Sequence, residues 1–167
     1  MNFNKAFTLV EVVVSIVLLG LIMTFLYGAI NNVSLSNNII KDKQERIIEY
    51  SKQIKLLKED IFNAYDINIT GTGKYNVAFL ETDNSLHGID RPFVIWYVST
   101  YHNTLVRLES SENITLPLDS NKDQLVYIDK IIEPIEKFQL YKSNEQDKVL
   151  FYIENKKKKA IYEIKTK

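Results

Sequence analysis

A continuous apolar run near the N-terminus constrains this chain more than any other feature. Residues 7–30 read FTLVEVVVSIVLLGLIMTFLYGAI and contain a single charged side chain, Glu11. A helix over residues 12–30 would be about 28 Å long, close to the roughly 30 Å hydrocarbon core of a membrane. The residues ahead of the run include Lys5 and no acid, so the positive-inside rule predicts a cytoplasmic N-terminus and an exported C-terminus. The run is too long for a secretory signal peptide and leads into polar helix without a small-residue cleavage site.

Glu11 does not suit a plain membrane anchor. A carboxylate at the bilayer centre costs on the order of 2.5–3.5 kcal/mol on insertion scales. Acids within membrane segments usually have a partner and a function. The alternative is that Glu11 lies near the cytoplasmic headgroups and remains solvated.

The residues around Glu11 carry a family resemblance. Residues 5–11, KAFTLVE, resemble the prepilin motif of type IV pilins and type II secretion pseudopilins. The resemblance implies that a prepilin peptidase cuts between Ala6 and Phe7 and methylates the new amino group of Phe7. It also implies that Glu11 pairs with the amino terminus of a neighbouring subunit during filament assembly. A buried carboxylate is tolerable when such a cation satisfies it.

The chain departs from the family pattern at two positions. The family usually has glycine before the cut, where this chain has Ala6; cleavage is still expected because alanine is small. Many major pilins have proline where this chain has Gly28. Glycine is also a poor helix residue, so local melting during assembly remains open.

An amphipathic segment follows the apolar run over residues 31–66. Its apolar residues recur every seven positions, at Val33, Ile40, Ile47, Ile54 and Ile61. This spacing predicts one helix that runs to about residue 64 and presents a single apolar stripe. We expect the stripe to pack on the chain's own sheet, although a coiled-coil dimer would use the same residues.

The remainder of the chain, residues 67–167, is predicted to form a β-sheet domain. Seven segments are rich in β-branched and aromatic residues: 75–81, 93–100, 105–110, 125–132, 135–141, 149–154 and 160–165. Residues 101–103 are predicted to form a tight turn and 143–147 a longer one. The predicted fold class is α+β and pilin-like. A long N-terminal helix, made of a membrane anchor and an amphipathic spine, is expected to pack on an antiparallel sheet. Residues 1–6 would be a leader, 7–30 the membrane and assembly helix, and 67–167 the periplasmic domain.

A second resemblance concerns the sheet domain. The stretches VIWYV at 94–98 and LVRLE at 105–109 resemble the J-class minor pseudopilins, which place a strand ending near tyrosine beside one bearing Leu-x-Arg. The arginine of the Leu-x-Arg pattern is Arg107 in this chain.

Two loops contain candidate modification or metal sites. Asp119, Asn121 and Asp123 place oxygens at alternate positions, as a calcium loop does, but Gln124 and Lys130 stand where glycine and glutamate are needed. A solvated turn is predicted there. Asn68 lies in an acidic extended sequon, DINIT at 66–70. It is predicted to lie in an accessible loop, where it is a candidate for N-glycosylation.

Composition excludes several kinds of chemistry. The chain has no cysteine and only two histidines, His87 and His102, so thiolate chemistry is excluded and a histidine-rich metal site is not expected. We found no phosphate-binding glycine loop and no nucleophile elbow, so no enzyme activity and no cofactor are predicted. Charge is balanced, with 21 basic and 21 acidic residues, so nucleic acid is not an expected partner. The lysine run at 156–159 is predicted to be a charged hairpin turn that prevents strand aggregation.

These observations predict a structural subunit that spans the bacterial inner membrane once. The favoured hypothesis is a minor pseudopilin of a type II secretion-like machine, with other pilin-like subunits and the prepilin peptidase as partners. The alternative is a minor pilin of a type IV pilus or of a natural-transformation system. A lone membrane-anchored domain with a coincidental motif is the third hypothesis.

Overall fold

A computed structural model describes residues 8–71, 73–118, 125–143, 147–156 and 158–166 of the chain. Within these residues there is one α-helix, α1 (Leu9–Phe62), followed by eight strands. The strands are β1 (Ala64–Thr70), β2 (Val77–Thr82), β3 (Phe93–Ser99), β4 (Thr104–Ser110), β5 (Val126–Ile132), β6 (Lys137–Lys142), β7 (Lys148–Asn155) and β8 (Lys158–Lys165).

The chain divides into two compact units, Met1–Ile48 and Glu49–Lys167. In the first unit the described residues belong almost entirely to α1, and its apolar side chains are exposed. The second unit contains the last turns of α1 and all the described strands.

The strands of the second unit form two antiparallel sheets. One sheet has five strands in the order β1-β2-β3-β4-β5, and the other has three in the order β6-β7-β8. The sheets meet where Tyr75 forms a bridge with Phe138 and where the ammonium group of Lys142 donates to the carbonyl of Ile67 at 3.2 Å. An antiparallel β domain was predicted, and it is confirmed.

The hydrophobic core lies between the end of α1 and both sheets. Ile54, Leu57 and Ile61 of the helix are buried in one cluster with residues of the two sheets. From the five-stranded sheet the cluster takes Ala78, Leu80, Val94, Trp96 and Leu105, and from the three-stranded sheet Phe138, Leu140, Val149, Phe151 and Ile153. The α+β pilin-like architecture, a long N-terminal helix packed on antiparallel sheet, is therefore confirmed.

The apolar stripe of α1 packs on the domain over only part of its predicted length. Ile54 and Ile61 are buried, but Val33, Ile40 and Ile47 are each more than half exposed. The expectation that the whole stripe packs on the chain's own sheet is wrong for those three residues. The N-terminal half of the stripe is therefore exposed within the described residues.

The helix ends earlier than predicted, and a strand that the sequence analysis missed follows it. α1 ends at Phe62, and Asn63 caps it by donating its backbone and side-chain N–H groups to the Glu59 carbonyl, both at 3.0 Å. β1 then pairs with β2. The helix was predicted to run to about residue 64, and it ends two residues earlier. The predicted loop around Asn68 is wrong, because Asn68 lies on the exposed face of β1.

Candidate assembly site

Thr8 and Glu11 close the N-terminal end of α1 with a reciprocal pair of hydrogen bonds. The Glu11 amide donates to Thr8 Oγ1 at 3.3 Å, and the Thr8 amide donates to Glu11 Oε2 at 2.9 Å. The Thr8 hydroxyl also donates to Glu11 Oε2 at 3.0 Å. This arrangement is a capping box, in which a threonine and a glutamate three residues later satisfy each other's free N–H groups.

The capping box gives Glu11 a role within its own subunit, and it engages Oε2 of the carboxylate. All hydrogen bonds to the Glu11 side chain in the described chain go to Oε2. Oε1 can therefore accept from a cation of another subunit without breaking the cap. Ala6 and Phe7, the predicted processing site, lie outside the described residues.

The helix that Glu11 heads is suited to a membrane. Among the described residues, α1 is the one helix long and apolar enough to span a bilayer. It runs through Gly28 without interruption, and a Cβ added there would meet no atom within 4 Å. The glycine is therefore not required for packing in the single subunit.

A buried cluster of charged groups lies at the other end of α1. Both Asp60 carboxylate oxygens accept from Arg107, with Nε at 2.8 Å from Oδ2 and Nη2 at 3.2 Å from Oδ1. Trp96 Nε1 donates to Oδ2 at 2.8 Å, and Asn84 Nδ2 donates to Oδ1 at 2.7 Å. The side chains of Asp60 and Arg107 are completely buried.

Glu109 extends this cluster to the loop between β2 and β3. It accepts from the Arg107 guanidinium and the Ser85 hydroxyl. It also accepts from the backbone amides of Leu86, at 3.0 Å, and His87, at 3.2 Å. The cluster therefore fixes the backbone of residues 84–87 against β4.

Burial and hydrogen bonding act against each other in the cluster. Burial raises the pKa of Glu109, but hydrogen bonds from Arg107, Ser85 and Leu86 outweigh it and hold this pKa below its usual range. Burial lowers the pKa of Arg107, but the two carboxylates more than offset it and raise this pKa. Burial raises the pKa of Asp60, against the donors that surround it.

His87 ties the same loop to β5. Its ring stacks on Tyr127, with centroids 4.0 Å apart, and Nε2 lies 2.9 Å from Asp129 Oδ2. Every charged group of the cluster thus faces another part of the same domain. The side chains of Asp60, Arg107 and Glu109 are completely buried, so they hold the end of α1 and a loop in place.

The sequence analysis missed this cluster as a unit. Arg107 was noted only through the family resemblance, and Asp60 and Glu109 were not noted. A signal was present, because Asp60 falls on the apolar stripe between Leu57 and Ile61.

The lysine-rich turn joins β7 to β8, as predicted for a hairpin. Lys159 Nζ lies 2.7 Å from Glu154 Oε1, and Lys158 Nζ lies 5.1 Å from the centre of the Tyr50 ring. Lys156 is exposed, and residue 157 lies outside the described residues. Two of the four lysines are thus engaged within the domain. The calcium-like loop at 119–123 also lies outside the described residues.

Comparison with known protein families finds a match at the N-terminus of the chain. Residues 1–27 match the family model of the prokaryotic N-terminal methylation motif. The match covers only this N-terminal segment, which is therefore similar to that of type IV pilin-like proteins. This segment contains Ala6, Phe7 and the capping box. Searches against curated proteins and against solved structures find no match.

Proposed function

We propose that this chain is a minor pseudopilin, a structural and non-catalytic subunit of a type II secretion-like machine. A prepilin peptidase cleaves it between Ala6 and Phe7 and methylates Phe7. The subunit is held in the inner membrane by the apolar half of α1, with the β domain in the periplasm. It then joins other pilin-like subunits in a periplasmic filament.

The observation that carries this proposal is the position of Glu11. It stands four residues after the predicted new amino terminus, at the first turn of an exposed apolar helix, with Oε1 free within the described chain. A methylated amine from a neighbouring subunit supplies the cation that a carboxylate at membrane depth requires. The exposed Val33, Ile40 and Ile47 provide an apolar surface for neighbouring helices.

The alternative role in DNA uptake would need a basic surface that binds phosphates. The lysine turn is the candidate, because Lys156 and Lys158 are exposed. The bond between Lys159 and Glu154, and the position of Lys158 over Tyr50, favour secretion over DNA uptake.

Mass spectrometry of the mature protein tests the assignment to this class. The expected mature chain begins with a methylated Phe7. A chain that keeps Met1 in cells with an active prepilin peptidase would rule out the pilin-like role and favour a lone anchored domain. Deletion of the gene then separates the two machines: loss of protein export with pili and transformation intact supports the pseudopilin, and the reverse result supports the alternative.

A further inference from the structure

A groove of about 420 Å³ lies on the five-stranded sheet, on the face that does not pack against α1. Its floor includes Phe79 and Ile95, which are opposite each other on β2 and β3. Ile114, from the connection between β4 and β5, is buried against the same face and lines the groove. The floor is therefore apolar and already formed in the single chain.

Two carboxylates stand together at this groove. Asp66 on β1 and Glu81 on β2 are directly opposite each other, and both line the groove. The Cβ atoms of residues at such positions are about 4.5–5.5 Å apart, and like charges there destabilise the sheet. Within the described part of the chain, neither carboxylate is in an ion pair. Asp66 is exposed and Glu81 is half-buried, so a cation from outside the chain can reach both carboxylates.

An aromatic ring lies beside the carboxylates. Phe93 on β3 is directly opposite Glu81 and also lines the groove. The ring faces of aromatic residues attract cations, and the methylene stems of lysine and arginine pack on apolar surface. Within the described residues, the charged side chains that line the groove are those of Asp66 and Glu81, and both are acidic. The groove therefore offers a basic side chain two anions for its charge and an apolar floor for its stem.

We propose that this groove binds a lysine or arginine side chain of a partner protein. A calcium ion fits less well, because it takes 6–8 oxygen ligands and gains nothing from the phenyl and aliphatic floor. The proposal concerns a different surface from the N-terminal motif, and it holds whether the chain serves secretion or DNA uptake.

The test uses the full-length chain in micelles of an uncharged detergent. The probe is a pentapeptide with one central arginine and polar neighbours, and its control carries citrulline, the neutral analogue, at the same position. Saturation-transfer difference NMR measures both, since it detects weak binding. We expect the arginine peptide to bind at least about fivefold more tightly than the citrulline peptide, a ratio near 1 kcal/mol.

Paired variants assign the binding to the groove. Asp66→Asn with Glu81→Gln removes both charges at nearly constant size and should abolish the preference for arginine. Glu136→Gln with Asp147→Asn removes the same charge elsewhere on the domain and should leave that preference unchanged.

Three outcomes would overturn the proposal. The first is equal binding of the two peptides. The second is a groove-dependent effect of Ca²⁺ alone, which would make the groove a metal site. The third is self-association that both Asp66→Asn/Glu81→Gln and Lys156→Glu/Lys158→Glu abolish, which would make a second copy the occupant. None of these outcomes depends on how the N-terminus is processed, so this proposal and the proposed function can fail separately.

Discussion

Arg107 and Asp60, 47 residues apart in sequence, form a buried bidentate ion pair between β4 and the last turn of α1. Removing two charges from water is costly, so such a pair contributes little net stability compared with well-packed apolar residues. Its geometry is nonetheless restrictive, because the planar guanidinium fits the carboxylate in one orientation. The pair therefore sets the position of α1 along the sheet.

Removing one partner of this buried pair should destabilise the domain far more than breaking an ion pair at the surface. We expect Asp60→Ala to lower the free energy of unfolding of the domain by about 3–5 kcal/mol, since it leaves the Arg107 charge buried beside Glu109 alone. Glu163→Ala, which breaks the exposed pair with Lys148, should cost less than about 1 kcal/mol. Urea unfolding followed by Trp96 fluorescence measures both variants. Similar losses in the two variants would show that Asp60→Ala does not leave a buried charge unpaired.

Acid should weaken the domain through Glu109. Its folded-state pKa lies below the usual value of about 4.5, so the unfolded chain takes up the proton first as the pH falls. The stabilisation is therefore complete above pH 4.5 and is lost as the pH falls through the lower folded-state pKa. Burial raises the pKa of Asp60, so the contribution of Asp60 to stability changes with pH in the opposite direction. Asp60 is present both in the parent chain and in a variant of Glu109, so a comparison of the two isolates Glu109.

Glu109→Gln isolates this contribution. The variant should be less stable than the parent at pH 7, and the difference between the two should shrink as the pH falls below 4.5. Urea unfolding at several pH values measures that difference. A constant difference over this range would mean that Glu109 does not have the depressed pKa.

The sequence was most informative where one segment determines its own structure. The apolar run predicts a spanning helix, and KAFTLVE contains the capping box within four residues, Thr8 to Glu11. β1 was missed because Asp66 and Asn68 disfavour strands, although Ile67 and Ile69 alternate with polar residues as a half-buried strand does. Its pairing with β2 overrides the weak propensity.

The buried cluster and the groove depend on contacts between distant segments. Asp60 and Arg107 meet only when α1 packs on β4, and Asp66 meets Glu81 only in the register of β1 with β2. Local propensity does not specify that register, and the tertiary packing does. Single-sequence reasoning therefore recovers the α+β class and the N-terminal motif, but neither of these sites.

Glu11 variants can separate its capping role from the assembly role proposed for it. Glu11→Gln keeps the capping box, which accepts glutamine at this position, but removes the charge. Glu11→Val removes both. If the carboxylate pairs with a neighbour's amine, both variants should enter the membrane normally and fail to join filaments, as measured by co-purification of partner subunits. Normal assembly of Glu11→Gln with failure of Glu11→Val would instead assign Glu11 to the cap alone.

DNA binding should be weak if the chain serves secretion rather than DNA uptake. Each phosphate contact made by lysine or arginine steepens the dependence of binding on salt. The lysine turn has Lys159 paired with Glu154 and Lys158 placed over Tyr50, and the chain has no net charge. We therefore expect single- and double-stranded DNA to bind no more tightly than about 10⁻⁴ M at physiological salt, the weak end of non-specific binding. Fluorescence anisotropy with labelled oligonucleotides measures this. Micromolar binding that is lost when Lys156, Lys158 and Lys159 become glutamate would place the transformation pilus first. In that case the change of Lys148 and Lys165, which lie opposite each other on β7 and β8, to glutamate should have little effect.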